Sequence, residues 1–453
     1  MSVVCACQRG LFALLTAVLI TGTATHAFGQ EAVDLRLDTT DATGPVDGVD
    51  EPVVAAKKPT AVVDIQLPKP KKRKPAADAY AAQGIGSGVF RFYPTLEIGT
   101  VATSNVSRSA TKAKSDIALR LRPGVSFASN WSRHSWTGSA SADLLRYRDT
   151  KTQSTSTASA QTALRLDIYH DTRANIQASY SRNAVASGTS VGEVPLTALG
   201  SRVDQSMAGS AALEHDVGPL TTQLRLGVSR NTYGDVQLSG GGSEDNSDRD
   251  YTEVSALLRG SFNRGAILSP YGEVAYEPRF HDKAKDRNGV KRDSQGLRLG
   301  VGVTLDDGPI WSGEIGANVQ LRKYADTSLD NVVVPGLSAR LTWRPTDLTR
   351  FEFNTGATVA ETVVAGSSAN RSWNGSIDVV HALRDNIDLT AGLGLTADKT
   401  STGTDWTTST RLGVSWMINP YLTWTAGYEG AYFNGAGADY QEHRALSSII
   451  LKR

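Results

Sequence analysis

The amino-acid sequence predicts an all-β protein: a transmembrane, antiparallel up-and-down β-barrel of about 18 strands, with 16 as the alternative, preceded by a disordered N-terminal segment. Three observations carry this expectation. From about Phe90 onward, apolar residues return at every second position. The alternating segments run to about 10 to 14 residues, longer than the five or six usual in a soluble sheet and suited to a tilted strand that crosses a bilayer. Short and long connections then follow one another in turn, as in a barrel with tight turns on one rim and loops on the other.

The first residues read differently. Arg9 precedes the apolar run "LFALLTAVLI" and small residues around "THAFGQ", the order of a secretory signal peptide, here placed at residues 1–29. That run is shorter than the about 20 residues a spanning helix needs. Both cysteines, Cys5 and Cys7, lie before that run in the segment expected to be removed, so the mature chain is expected to hold no thiol, disulfide or cysteine metal site. Removing Arg9 from the 47 basic residues leaves 46 against 46 acidic ones. In a neutral chain nothing points to nucleic acid as a partner, whose binding requires a basic surface, and none is expected.

Residues 30–88 read as a periplasmic linker. Glu31, Asp34, Asp38, Asp41, Asp47, Asp50 and Glu51 make its first part acidic, and "LPKPKKRKP", Leu67 to Pro75, makes its second part basic and Pro-rich. Too few large apolar residues are present to offset the entropy of ordering it. The basic run serves as a solvated tether or as an electrostatic contact with peptidoglycan or anionic head groups.

The barrel is assigned to residues 89–453. Ile117, Leu119, Leu121, Val125 and Phe127 alternate with Arg120, Arg122 and Ser126; Leu164 and Leu166 alternate with Arg165 and Asp167. Leu220, Leu224, Leu226 and Val228 alternate with Thr221, Gln223, Arg225 and Ser229. The stretch Gly296 to Tyr324 keeps the rhythm on both sides of Asp306-Asp307-Gly308-Pro309. The expected strands lie at 92–104, 116–127, 134–147, 157–169, 173–182, 204–215, 219–232, 251–263, 269–279, 294–305, 310–323, 333–344, 349–361, 372–383, 386–398, 405–418, 421–432 and 442–452. Tight connections occur at "HDTR", "DVGP", "DDGP", "RPTDL", "LRDN" and "INP", and longer polar ones between them. An even strand number puts both termini on the tight-turn side.

Alternation alone suits a soluble sheet too. A sandwich of so many long strands would exceed the usual sheet size, and its core face would carry many Ala and Gly. A propeller would need a recurring blade motif, which is absent. Arg and Glu near strand centres instead suit a water-filled lumen, so the apolar face is expected to meet lipid. The lumen-lining side chains proposed on this basis are Arg120, Arg122, Arg165, Arg225, Arg298, Glu314, Arg340, Glu352 and Arg411. Opposing arcs of charge there would set up a transverse field. Trp136, Trp311, Trp343, Trp373, Trp406, Trp416, Trp424, Tyr180, Tyr233 and Tyr428 fall where interfacial girdles would lie.

Four stretches in order, "RFYPTLEIGTVATSNV" (Pro94, Gly99, Asn105), "RPGVSFASNWSRHS" (Pro123, Gly124, Trp131, His134), "WRPTDLT" (Trp343 to Thr349) and "LTWTAGYEGAY", resemble the type 2 β-barrel porins of Gram-negative outer membranes. The resemblance covers about Phe90 to the C-terminus. It implies an outer-membrane barrel, often linked to surface polysaccharide production, and supplies no catalytic residue. Ser104 stands where the family often has an acid, and the terminal "SSIILKR" lacks the aromatic on which many such barrels end.

Enzyme chemistry is not expected. The seven histidines, among them His170, His215 and His381 beside short turns, lack zinc-site spacing; no G-x-S-x-G elbow occurs; and "GLRLGVG" sits inside a strand with no helix after it. "GGGSEDNSDRD" is expected to be a solvated loop, a divalent-cation site being the sharper alternative. No cofactor or metal is implied. The expected role is a porin-like channel for passive or weakly selective passage of small hydrophilic solutes. The alternatives are a barrel participating in export or assembly of a surface polysaccharide, and a structural barrel tethered to the cell wall. Expected partners are outer-membrane lipid and lipopolysaccharide, the barrel-assembly machinery, peptidoglycan through the basic linker, and polysaccharide.

Overall fold

The computed structural model describes residues 80–185, 193–195, 197–263, 267–305, 308, 310–401, 403–435 and 439–453. The expected signal peptide and most of the expected linker lie outside them. Eighteen long strands follow one another: β1 (Phe90–Thr103), β2 (Asp116–Ser129), β3 (Ser135–Tyr147), β4 (Thr155–Asp167), β5 (Thr172–Val185), β6 (Arg202–Val217), β7 (Leu220–Tyr233), β8 (Tyr251–Phe262), β9 (Leu268–Tyr276), β10 (Ser294–Leu305), β11 (Trp311–Tyr324), β12 (Val332–Thr346), β13 (Thr349–Ala360), β14 (Asn370–Arg384), β15 (Ile387–Lys399), β16 (Thr404–Asn419), β17 (Leu422–Asn434) and β18 (Tyr440–Lys452). Each pairs antiparallel with the next, and β18 pairs back onto β1 from Thr95↔Lys452 to Thr103↔Arg444. The barrel is closed. No helix among the described residues is long and apolar enough to cross a membrane.

The number of strands agrees with the expectation, and the observed bounds differ from the expected ones by a few residues. Two differences are local. Ile85–Ser87, placed by composition in the linker, forms a short strand on Phe90–Phe92. The ninth strand breaks at Glu277 and Pro278 and resumes as Arg279–His281, paired with Tyr251–Glu253. Proline has no N–H to give a ladder, so the strand interrupts there.

Tight turns join β4 to β5, β6 to β7, β12 to β13, β14 to β15 and β16 to β17. At Val217–Leu220 the backbone reverses through Gly218, whose φ of +59° is costly for any residue with a Cβ. The turns after β12, β14 and β16 each carry a register shift, between Trp343 and Thr346, Ala382 and Arg384, and Met417 and Asn419. One extra residue on one strand lets a short connection close without flipping the pleat.

The outer surface follows from the register. Leu224 pairs with Leu258, Leu258 with Val274 and Val274 with Leu299, so exposed apolar side chains stand side by side around the wall. Leu337 and Val301 are each 65% exposed. A continuous apolar band of this extent is stable against hydrocarbon and not against water. On the turn rim Trp311 stacks on Trp343 at 5.4 Å and Trp343 packs on Phe351 at 4.9 Å. Tyr233, expected in a girdle, points the other way: it lies inside, with the Arg249 guanidinium 4.6 Å from its ring.

On the inner face, glycines make room for larger neighbours. A Cβ at Gly302 or Gly316 would stand 2.5 Å from the Tyr271 hydroxyl, so that ring lies flat along the β10–β11 wall. Arg259 covers it, its guanidinium carbon 3.5 Å from the ring centroid. Replacing Gly316 by Val forces Tyr271 off the wall. We expect Gly316→Val to cost about 1–3 kcal/mol and to lower the temperature at which the compact, heat-modifiable form unfolds in gels; an unchanged unfolding temperature contradicts this packing.

Candidate functional site: the barrel interior and its mouth

Side chains on the second face reach across strands that are not neighbours. Arg259 of β8 donates to Glu314 of β11 at 2.9 Å, and Arg279 donates to Glu361, just past β13, at 2.5 Å. Such spans exist only on the concave side of a closed sheet. The polar half of the alternation is therefore the interior wall.

Seven of the nine residues singled out in the sequence sit in ion pairs on that wall. Arg120 and Arg122 share Asp143, at 2.6 Å and 3.0 Å, with Glu97 close to both. Arg298 joins Glu273 at 2.9 Å and Glu277 at 3.1 Å. Glu314 takes Arg259, Arg411 takes Asp378 at 2.6 Å, and Glu352 takes Arg350 at 2.9 Å. Arg165 pairs with Asp167 at 3.0 Å, near the turn rim. Arg225 and Arg340 make no ion pair among the described residues. Arg340 stands opposite Glu314 in the register but is exposed, because Glu314 turns to Arg259.

This arrangement differs from the transverse field suggested by the sequence. Most arginines are neutralised by carboxylates on the same stretch of wall, since cross-strand neighbours are only about 5 Å apart. The paired wall is polar and close to neutral. Its partly exposed pairs contribute at most about 1 kcal/mol each.

No local pattern announces the second feature. At the long-loop rim, segments between β5 and β14 are locked together by buried charge. Glu193, from the β5–β6 loop, accepts from the Val363 N–H and from Asn370 and lies 3.4 Å from Arg249. Arg249 also donates to the Glu361 carbonyl. Arg292 and Asp286, 2.8 Å apart, are almost wholly buried, and Arg292 donates further to the Ser367 and Val364 carbonyls. Around Arg279 gather Glu253 at 2.5 Å, Glu361 and, at 3.7 Å from Glu361, His281. The loops that follow β5, β7, β9 and β13, with the loop after β11 tied in through Asp326, which accepts the Lys291 N–H at 3.0 Å, thus form one clasp over part of the mouth.

"GGGSEDNSDRD", expected to be solvated, is part of this clasp: Asn246, Asp248 and Arg249 are buried. Two-residue bonds explain it. Arg287 donates to Asp248, Glu244 and Asn246, and Lys283 donates to Asp245 at 2.9 Å. The hydrogen bonds to Asp248 hold Arg287 above its ordinary range. Burial pushes the Asp248 carboxyl up, but its bonds to Arg287 outweigh that and hold it below the usual range. Loop charges of opposite sign were visible in the sequence; which loop meets which was not, because that depends on strand order around the barrel.

Asn105 has a similar role beside the seam. It is buried and donates to the Ser109 and Gln441 carbonyls, tying the β1–β2 loop to β18, while Ser104 accepts from the His443 N–H. The turn-rim histidines His215 and His381 meet the hydroxyls of Thr172 and Thr349 at 2.9 Å and 3.0 Å.

Two outcomes test the clasp. Asp286→Ala strands a buried guanidinium, a loss of roughly 3–5 kcal/mol, and we expect proteolysis to open the β9–β10 loop of the variant while the strands stay protected. Asp326 accepts N–H groups from Lys291 and Ser328 and the Ser328 hydroxyl, which pull its carboxyl down to about 2 from 3.8. A carboxyl lowered on folding stabilises above its unfolded value and loses that contribution as pH falls toward about 2. Loop protection should therefore hold from pH 7 to pH 4 and decline between pH 4 and pH 2; loss already at pH 5 contradicts the assignment.

A family model described as "Putative beta-barrel porin 2" matches residues 78–453. Among curated proteins, none matches. Among solved structures, the siderophore receptor PirA from Acinetobacter baumannii is similar at 8% identity and a TM-score of 0.40, with 80% of each chain covered. A ferric enterobactin receptor (PfeA) mutant from Pseudomonas aeruginosa is similar at 8% identity and 0.42, again with 80% of each chain covered. The ferric citrate transporter FecA is similar at 11% identity and 0.36, over 75% of this chain and 60% of the transporter. At those scores nothing of the receptors' ligands carries over.

Proposed function

Because this chain belongs to the Putative beta-barrel porin 2 family, we propose that it acts in the outer membrane as a channel for passive or weakly selective passage of small hydrophilic solutes. The observation that carries the reading is the closed ring of 18 strands with ion-paired polar side chains on its inner face. Barrels of 16 to 18 strands leave an aqueous interior. An apolar interior would exclude water; this one is lined by charged and hydroxyl side chains, which favour it.

The near balance of charge supports weak selectivity. Each paired arginine and carboxylate presents a dipole rather than a net charge to a passing ion. Arg225 and Arg340, without carboxylate partners among the described residues, supply the unbalanced field. The clasp covers the arc from β5 to β14, so entry is directed toward the side of the mouth where the loops after β15 and β17 are short. The tight-turn rim and both termini then face the periplasm, with the preceding segment on the same side.

Planar-bilayer recordings of the purified chain test this: discrete current steps are expected, and their absence at all voltages overturns the reading. In a water-filled passage, a unit charge about 8 Å from an ion changes its energy by about 0.5 kcal/mol, close to twofold in population. Arg340→Ala and Arg225→Ala, each removing one such charge, should therefore each favour cations by about twofold and disfavour anions by as much, shifting the permeability ratio toward cations by about fourfold per variant with the conductance steps retained. An unchanged reversal potential would show that these two cations do not face the passage.

A further inference from the structure

The connection between β2 and β3, Asn130 to His134, is one of the longer ones on the turn rim, equal in length to β8–β9 and β10–β11. It spans five residues where β6–β7 and β12–β13 use two, and it carries Trp131, Arg133 and His134. Its rings join a cluster on the outer wall. Trp136 meets Phe90 at 5.4 Å and Phe127 at 5.7 Å edge-on, and Trp131 stacks over Trp136 at 6.4 Å. The Trp136 indole N–H donates to the Thr162 hydroxyl at 2.7 Å, which fixes the ring.

A cavity of about 420 Å³ opens between this cluster and β4, lined by Trp131, Ser132, Arg133, His134, Trp136, Leu164 and Leu166. Trp136, Leu164 and Leu166 are on the apolar, outward phase of their strands, so the cavity opens to the hydrocarbon side. Arg133 also lines a neighbouring cavity of about 400 Å³ with Arg165, Asp167, Tyr169, His170 and Arg173. The charge is unequal. Arg165 is matched by Asp167 and Arg173 by Asp216 at 2.9 Å. Arg133 donates to the Ile168 carbonyl and has no carboxylate partner among the described residues. His134 accepts the Asp167 N–H on Nδ1 at 3.2 Å, so its hydrogen sits on Nε2 as a further donor.

We propose that this site binds one anionic phospholipid of the leaflet at the turn rim. Its phosphate would meet the guanidinium of Arg133 and the Nε2–H of His134, and one acyl chain would lie along Trp131, Trp136, Leu164 and Leu166. The occupant follows from two features in contact, an unmatched cation and an apolar trough that opens outward. Arginine matches a phosphate with two parallel N–H groups, and tryptophan favours the boundary between chain and head group. A free phosphate would use only the first feature, and a neutral lipid only the second. The proposal rests on the membrane placement of the preceding section and not on conduction.

Native mass spectrometry of the full-length mature chain, released from detergent with added lipid, tests it. The wild type should retain one phosphatidylglycerol at concentrations where phosphatidylcholine is lost, a preference of about tenfold. Arg133→Ala should remove that preference, Arg133→Lys should keep part of it, and Trp131→Ala should weaken both lipids alike. Each variant is first shown to give the compact, heat-modifiable species. Equal retention of the two lipids by the wild type, or an undiminished preference in Arg133→Ala, overturns the site. Full displacement of phosphatidylglycerol by inorganic phosphate also overturns it, since the acyl contacts would then count for nothing. Wild type that conducts without any lipid preference defeats only this proposal, and wild type that holds the lipid without conducting defeats only the channel.

Discussion

The structure depends on one constraint: a wall whose outer face is apolar has no water with which to satisfy its backbone. Each N–H and C=O left open there costs several kcal/mol. A sheet meets that demand only when it has no edge, and the pairing of β18 with β1 removes the last one. The even strand number, the shared rim of the termini and the concave interior are all consequences of that closure.

Closure also explains how charge is arranged inside. The interior faces carry Arg, Asp and Glu from strands whose register is fixed by the ladder, so complementary side chains come within reach without further adjustment. Arg120, Arg122 and Asp143 meet across β2 and β3, and Arg298, Glu273 and Glu277 across β9 and β10. At the loop rim the same chemistry is buried, and there a removed partner costs much more than on the open wall. The wall and the clasp thus use similar residues with unequal energetic weight.

Much of this was legible in the sequence, for physical reasons. Period-two alternation is a local property, so Ile117 to Phe127 or Gly296 to Leu305 announce both the strand and its two faces without knowledge of any neighbour. Turn residues such as Gly218-Pro219 are local in the same sense. What stayed hidden depends on distant partners. Nothing near Arg249 in the chain signals Glu193 or Glu361, and nothing near Tyr233 signals that its ring turns inward beneath Arg249. The break at Pro278 was present in the sequence as a residue unable to donate, yet the resumption at Arg279–His281 becomes visible only when Tyr251–Glu253 is placed beside it.

The seam joins the first long strand to the last. A ribosome delivers the chain from its N-terminus, so β1 is available long before β18 exists. Until then every partial sheet carries a naked edge and an oily flank, and bringing such distant segments together is entropically slow. The polypeptide must consequently be kept from sticking to its neighbours during that wait, and the final zipper is a matter of escort and timing as much as of affinity.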